Sequence, residues 1–127
     1  GFKVLHLGKE KSNFKNIIDI INEPIEKIIN YLYNCEFFIG LSSGLSWLSW
    51  ALNKKTILIS GFTQDWYEFK TPYRLINKNV CHGCYNDNKF VFDKGNWNWC
   101  PRNKNFECTK MINSQDVIKE INKILNL

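Results

Sequence analysis

Short apolar runs alternate with polar segments along the first sixty positions of the chain. Apolar and polar residues alternate over residues 2–7 well enough to predict a short strand that ends at Gly8. Residues 36–39 and 56–60 are compact apolar runs of the length typical of buried strands. The run at residues 17–21 is also apolar, but its periodicity does not distinguish a strand from a helix.

Two segments between these runs predict helices. The first has apolar residues at helical spacing from Pro24, which suits a first turn, through Tyr33, with Asn22 as a possible cap. The second extends from about residue 44 to residue 52. Because helices that connect short buried strands are typical of parallel sheets, the order strand–helix–strand–helix–strand predicts an α/β fold.

The pattern changes after Gly61. Residues 61–110 show no sustained periodicity, are rich in aromatic and turn residues, and contain four cysteines. A loop of this length is expected to be functional or to be held together by cross-links of its own. Residues 114–125 regain an apolar helical face, and Asn113 or Ser114 is the expected cap.

Composition limits the class of protein. The chain has 127 residues, of which 44% are hydrophobic and 15% aromatic, enough for one domain with a core and too many for intrinsic disorder. No apolar run is long enough to predict a membrane span. The first residues enter a strand directly without the features of a secretory signal, so we expect the chain to be a piece of a larger protein.

Charge does not single out a partner. The formal net charge is +5, and only Arg74 and Arg102 among the cations are arginines. Nucleic-acid surfaces usually cluster their cations, whereas these are dispersed, so we expect no nucleic-acid partner. A mildly basic cleft for a phosphorylated small molecule is equally compatible with the charge.

The cysteines carry a more specific signal. Four of them follow the spacing C-x2-C-x15-C-x7-C, at Cys81, Cys84, Cys100 and Cys108. The first pair can converge on one ion from a tight turn, which predicts a four-cysteine metal site that accepts either iron or zinc. Two disulfides are the alternative and would need an oxidising compartment. Cys35 stands apart and is expected to be a buried free thiol.

A serine- and glycine-rich turn lies between the predicted strand at residues 36–39 and the helix predicted to follow it. A helix N-terminus at this edge of a parallel sheet offers backbone N–H groups to an anion, so the turn is a candidate phosphate site. An ordinary helix start is the alternative. Thr63, after the next strand, could face the same ligand or lie in a surface loop. The candidate residues of the turn are Ser42, Ser43, Gly44, Leu45 and Ser46.

The histidines do not suggest a catalyst. His6 is expected to be a core or edge histidine, and His82 is expected to lie beside the metal site or at the surface. No pair of carboxylates, nucleophile triad or Walker motif is recognisable, so the catalytic base is unknown.

These motifs together resemble the bacterial autotransporter heptosyltransferases and, more distantly, the lipopolysaccharide heptosyltransferases. The distant relatives have an acidic residue and Thr where this chain has Ser42 and Ser43, before the matching Gly44 and Leu45. The resemblance covers residues 35–52, 59–62, 68–69, 71–74, 76–77, 81–87, 92–93, 99–102 and 106–109.

The resemblance implies a GT-B glycosyltransferase that transfers heptose from ADP-heptose to serines of autotransporter adhesins in the cytoplasm. It implies one structural iron ion on the four cysteines, in a finger-like insertion at about residues 78–110, and a homo-oligomeric ring. Residues 1–127 would form one partial Rossmann-like, donor-binding domain.

The missing acceptor-side domain would hold the catalytic base, so we expect this piece alone to be inactive. The alternatives are a metal-stapled nucleic-acid-binding module and an oligomerisation module without catalysis.

Overall fold

The computed structural model describes residues 1–91, 96 and 98–127. Within these residues the chain forms two compact units, Gly1–Cys35 and Glu36–Leu127. The single partial domain over residues 1–127 and the insertion at about residues 78–110 stay predictions. Phe92, Asp93 and Trp97, which belong to the aromatic and motif-bearing part of the sequence, lie outside the described residues.

The first unit contains two parallel strands and a helix. Strand β1 (Val4–Gly8) pairs with β2 (Ile17–Ile21) in register from Val4 opposite Ile17 to Gly8 opposite Ile21. The run at residues 17–21 is therefore a strand. Its periodicity alone did not distinguish a strand from a helix. The pairing also places His6 beside Asp19, and the two side chains are hydrogen-bonded with 2.8 Å between Nδ1 and Oδ1.

Helix α1 (Ile25–Asn34) follows β2 and buries Ile28 and Leu32. Pro24 is its cap residue, so the expectation that Asn22 caps the helix is wrong. Asn22 instead has a φ of +50° and donates its backbone N–H to Gly8 O over 3.2 Å. Asparagine tolerates this left-handed backbone conformation, which turns the chain between β2 and α1.

The second unit is built on a three-stranded parallel sheet. Strand β4 (Lys55–Ile59) lies in the centre, between β3 (Phe37–Leu41) and β5 (Arg74–Leu75), and Ile57 and Leu58 within it are completely buried. The predicted parallel α/β arrangement is confirmed here. Strand β5 has only two residues, too few for any periodicity. The elements in chain order are β3 (Phe37–Leu41), helix α2 (Gly44–Ala51), β4 (Lys55–Ile59) and β5 (Arg74–Leu75).

Among the described residues, two α-helices follow β5. The short helix α3 (Glu107–Lys110) contains the last cysteine, and α4 (Ser114–Leu125) is the predicted C-terminal helix. The side chain of Asn113 accepts from the Asp116 N–H and Asp116 reciprocates, so Asn113 is the cap. Helix α4 packs against β4, and Lys55 Nζ donates to Ile124 O over 3.1 Å. None of the helices described is both long and apolar enough to cross a bilayer.

Candidate functional site

The candidate site lies at one edge of the three-stranded sheet. Leu41 and Ile59, the last residues of β3 and β4, are paired in register. The turn at residues 42–44 and the segment at residues 60–63 therefore leave the sheet side by side. In open α/β sheets, ligands bind outside this carboxyl edge of the strands.

Helix α2 begins at this edge without a side-chain cap. Ser43 is the cap residue in extended conformation, and its hydroxyl makes no capping hydrogen bond. Ser43 and Gly44 are both exposed, and a Cβ added to Gly44 would meet no atom within 4 Å. The first turn of α2 thus has no side-chain cap and open space beside Gly44, so its N–H groups are available to an anion.

Ser46, a predicted contact of that anion, points the other way. It is completely buried, and its hydroxyl donates to the carbonyl oxygen of Leu41 at the end of β3. A Cβ on Gly40 would approach Ser46 Oγ to 2.9 Å, so Gly40 leaves room for this bond. The Ser46 side chain therefore ties the strand to the helix, whereas Ser42 and Leu45 are half-buried in the turn.

Thr63 is also buried, within a polar network that sequence reasoning missed. Its hydroxyl and that of Ser60 donate to the two carboxylate oxygens of Glu68, the Ser60 bond being 2.7 Å long. Arg74 forms an ion pair with the same carboxylate and donates to Phe69 O over 2.6 Å. The Glu68 side chain is completely buried and every carboxylate oxygen has a donor, which is what a stable buried charge requires.

Aromatic contacts hold this network against α2. The ring of Phe69 stacks on Trp50 with 5.6 Å between centroids and meets Trp47 edge-on at 5.1 Å. Such pairs stabilise a fold beyond the area that they bury. The segment after β4 is thus connected to the helix whose N-terminus forms the candidate anion site.

The first cysteine pair docks on the turn after β4. Gly83 donates its N–H to Gly61 O over 2.7 Å, and Tyr85 donates to Phe62 O over 3.0 Å. Gln64 N–H donates in turn to Asn86 Oδ1 over 2.8 Å. Hydrogen bonds therefore join the segment at residues 61–64 to the segment at residues 83–86 along their length.

Two glycines make this close approach possible. Gly61 has a φ of +155°, and a Cβ there would come within 2.8 Å of Cys108 O. Gly83 is left-handed, with a φ of +71°, and a Cβ would collide with the side chain of Gln64. Glycine alone adopts both conformations without steric cost.

The electrostatic environment of the cysteines is uneven. Burial and a hydrogen bond to Glu107 raise the pKa of Cys81 to about 11, and burial also raises the pKa of Cys84 and Cys108. Burial acts in the same direction on Cys100, but backbone N–H groups of Phe106, Lys104 and Arg102 outweigh it and lower its pKa. The Lys104 N–H lies 3.3 Å from Cys100 Sγ. Backbone donors of this kind stabilise a thiolate.

In the described part of the chain, no group of three or more Cys, His, Asp or Glu side chains is arranged to hold a common metal ion. The four-cysteine metal site therefore stays a prediction. His82 is half-buried, with Nδ1 3.0 Å from Val80 O. Cys35 is half-buried rather than buried, and its thiol donates to Leu32 O.

Comparison with known proteins gives a consistent picture, although no protein-family model matches the sequence. The chain is 46% identical over 105 residues to the autotransporter heptosyltransferase TibC of Escherichia coli O78:H11. It is 44% identical over 105 residues to the autotransporter heptosyltransferase BAHTCr of Citrobacter rodentium. Each match covers 80% of this chain and 26% of the relative. A third relative, at 38% identity, is the inactive autotransporter heptosyltransferase BimC of Burkholderia thailandensis.

The fold agrees with a solved structure. The crystal structure of dodecameric, iron-containing TibC in complex with ADP-D-β-D-heptose matches with a TM-score of 0.88 and 37% identity. That match covers 99% of this chain and 37% of the TibC chain. Of the curated relatives that it matches by sequence, the chain spans about a quarter of the length. By its sequence and its fold, the chain belongs to the autotransporter heptosyltransferase family, as the sequence resemblance predicts.

Proposed function

We propose that the chain is the donor-binding part of a GT-B protein heptosyltransferase. The parent enzyme would transfer heptose from ADP-heptose to serines of an autotransporter adhesin in the cytoplasm. The observation that carries the proposal is the N-terminus of α2. It has no side-chain cap, lies at the carboxyl edge of a parallel sheet, and begins with the exposed Gly44.

The chemistry of transfer explains why such an arrangement is useful. Negative charge builds up on the nucleotide diphosphate as its bond to the sugar breaks. The first-turn N–H groups of α2 and the Ser43 hydroxyl would bind that charge with dipoles that are already oriented, at little reorganisation cost. The missing Cβ of Gly44 lets a phosphate approach the backbone closely.

Ser46 and Thr63 would act on the donor indirectly. The Ser46 hydroxyl holds the end of β3 to α2, and the Thr63 hydroxyl holds the turn after β4 to Glu68. These bonds position the two segments that border the site. Ser42 and Leu45, half-buried in the same turn, would support the backbone that the diphosphate contacts.

We further propose that Cys81, Cys84, Cys100 and Cys108 hold one iron ion, with zinc as the alternative. Four thiol side chains are a suitable donor set for either ion, and the backbone N–H groups directed at Cys100 favour the thiolate that a metal needs. The high pKa of Cys81 means that binding there would release a proton. The ion would supply a structural cross-link within residues 81–108, a segment with little core of its own.

The remainder of the enzyme would lie outside this chain. An acceptor-side domain would provide the catalytic base, and the complete protein would form a homo-oligomer. We expect the chain alone to bind donor nucleotide weakly and to transfer no sugar. BimC, a relative named as inactive, illustrates that membership in the family does not by itself establish transfer.

Nucleotide binding to the 127-residue chain tests the donor site directly. An NMR titration with ADP should perturb the backbone amides of residues 43–46 before any others. Gly44→Val should abolish this response, because its Cβ enters open space and its side chain would occupy the space that a phosphate needs at the helix terminus. Ser114→Ala, which alters the first residue of α4, is the matched control and should bind ADP like the original chain.

Two results would contradict the proposal. ADP shifts that survive Gly44→Val would place the nucleotide elsewhere. Salt-sensitive binding of single-stranded RNA, with no response to ADP, would favour the metal-stapled nucleic-acid-binding module instead.

A further inference from the structure

A groove lies beside the outer side of strand β5, within the unit Glu36–Leu127. It encloses about 330 Å³ between residues 74–79 and the segment that leads into and includes helix α4. The first wall begins with β5, continues through Ile76 and Asn77, and ends in a turn at residues 78–79. The second wall consists of two residues before α4 and three residues of α4: Met111, Ile112, Asp116, Lys119 and Glu120.

The backbone at β5 leaves half of its hydrogen-bonding groups directed away from β4. Tyr73 O and Leu75 O accept from β4, from Leu58 N and Ser60 N respectively. Because alternate residues of a strand direct their polar groups to opposite sides, those of Arg74 and Ile76 face away from β4. Among the strands of the described residues, only β4 pairs with β5.

Glu120 supplies the second observation. Its side chain is only 9% exposed, and Oε1 accepts from Lys123. The other oxygen, Oε2, is buried and has no hydrogen-bond partner. A buried carboxylate oxygen without a donor is costly, and it normally indicates a partner group that is absent.

We propose that this groove binds an extended polypeptide segment from a partner protein, with an arginine or lysine directed at Glu120. The segment would add as a strand to the free edge of β5, as in recognition by β-augmentation. Its backbone would meet the outward groups of Arg74 and Ile76. Its basic side chain would supply the donor that Glu120 Oε2 lacks.

Several features favour a peptide over a small ligand. Six consecutive residues form one wall, and the first two of them are the strand residues Arg74 and Leu75. A peptide strand paired with β5 would lie about 4.8 Å from it. Its side chains would then need a surface to pack on, and α4 supplies that surface. Asp116 lies one helical turn before Glu120 and adds a second carboxylate to this wall, beside the Lys119 side chain with which it pairs.

The test is an NMR titration of the labelled 127-residue chain with three synthetic hexapeptides. The probe has alternating Thr and Val with one central Arg. In the second peptide citrulline, a neutral side chain of the same shape, replaces that Arg. The third keeps the Arg but is N-methylated at alternate residues, so it cannot complete a strand ladder.

The probe should perturb amides at residues 74–79 and in the first half of α4. The citrulline peptide should bind about tenfold more weakly, since a charge-assisted hydrogen bond is lost. Glu120→Gln should reduce that difference to less than about twofold. Glu23→Gln, at the ion pair with Lys27 in the first unit, is the control and should preserve the tenfold preference.

Each part of the proposal can fail separately. Equal binding of the Arg and citrulline peptides would remove Glu120 from recognition. Equal binding of the N-methylated peptide would exclude strand addition. Absence of shifts at residues 74–79 with millimolar probe would overturn the groove as a peptide site.

Discussion

The backbone N–H of Gly83 lies 2.7 Å from the carbonyl oxygen of Gly61 and donates to it. This bond joins the first cysteine pair to the turn after β4, which borders the candidate donor site. Cys108 lies against the same glycine, since a Cβ on Gly61 would come within 2.8 Å of Cys108 O. The cysteine segment is therefore part of the scaffold that shapes the sheet edge, and its stability should influence the geometry of that edge.

Gly61→Ala should destabilise the second unit by about 2 kcal/mol or more. An alanine there would adopt an unfavourable backbone conformation, and its Cβ would approach Cys108 O to 2.8 Å. Urea unfolding followed by tryptophan fluorescence measures the effect, because all five tryptophans lie within Glu36–Leu127.

Gly44→Ala is the matched control for that measurement. A Cβ at Gly44 meets nothing within 4 Å, and alanine is favoured over glycine in a helix. The free energy of unfolding should stay within about 0.5 kcal/mol or rise slightly. Equal losses at Gly61 and Gly44 would contradict the close approach of Cys108 to the turn.

Much of the fold was predictable because strands and helices have characteristic periods. The α/β order, the parallel sheet and the start of α4 at the Asn113 cap all follow from local patterns. Strand β5 was not predictable, since two residues, Arg74 and Leu75, carry no period. Its position depends on backbone hydrogen bonds from Leu58 and Ser60 that no local pattern indicates.

Glu68→Gln should destabilise the second unit by about 3 kcal/mol. The change removes one charge of a buried ion pair and leaves Arg74, only 14% exposed, without its counter-ion. Tryptophan fluorescence during urea unfolding again gives the free energy.

An exposed ion pair provides the comparison. Asp65 and Lys78 lie 3.7 Å apart with both side chains more than half exposed, so Asp65→Asn should change the free energy by less than about 0.5 kcal/mol. A Glu68→Gln loss as small as that of Asp65→Asn would show that Arg74 does not depend on the buried carboxylate.

The candidate site was predictable in its location but not in the orientation of its side chains. Ser43 and Ser46 are chemically identical in the sequence, yet one is exposed and the other is buried against Leu41. That difference follows from the rotation of α2 against β3. Thr63 likewise lies in a segment without periodicity, so nothing in the sequence indicated its bond to Glu68.

Asp19 should titrate below its ordinary pKa of 3.8. The Ser12 backbone N–H lowers the pKa most, followed by the hydrogen bond to His6. Because the folded pKa lies below the unfolded value, Asp19 stabilises the first unit above about pH 4. That contribution is lost as the pH falls through the folded pKa.

Carbon-detected NMR of the Asp19 carboxyl group during acid titration measures this pKa. His6→Phe should raise it part of the way to 3.8, since the Ser12 donor remains. A value at or above 3.8 in the original chain would show that neither donor acts on the ionised carboxylate.

If the four cysteines hold iron as proposed, removal of a single ligand should release the ion. Cys84→Ser should lower the metal content, measured by native mass spectrometry, and abolish thiolate-to-iron absorption bands. The melting temperature should fall by at least about 5 °C, since metal-binding energy contributes directly to the stability of a loop with little core. Cys35→Ser is the control, because Cys35 belongs to the first unit and bonds to Leu32 O.

The identity and number of bound ions distinguish the remaining possibilities. One zinc ion per chain that disappears in Cys84→Ser would keep the four-cysteine site and replace iron. A metal-free chain whose mass shows two disulfides would overturn the site altogether. In that case Cys84→Ser would also destabilise the chain, but a reducing agent would lower the melting temperature of the original chain to the same value. A chelator would have no effect, and the junction between Gly83 and Gly61 would depend on covalent cross-links rather than on a metal.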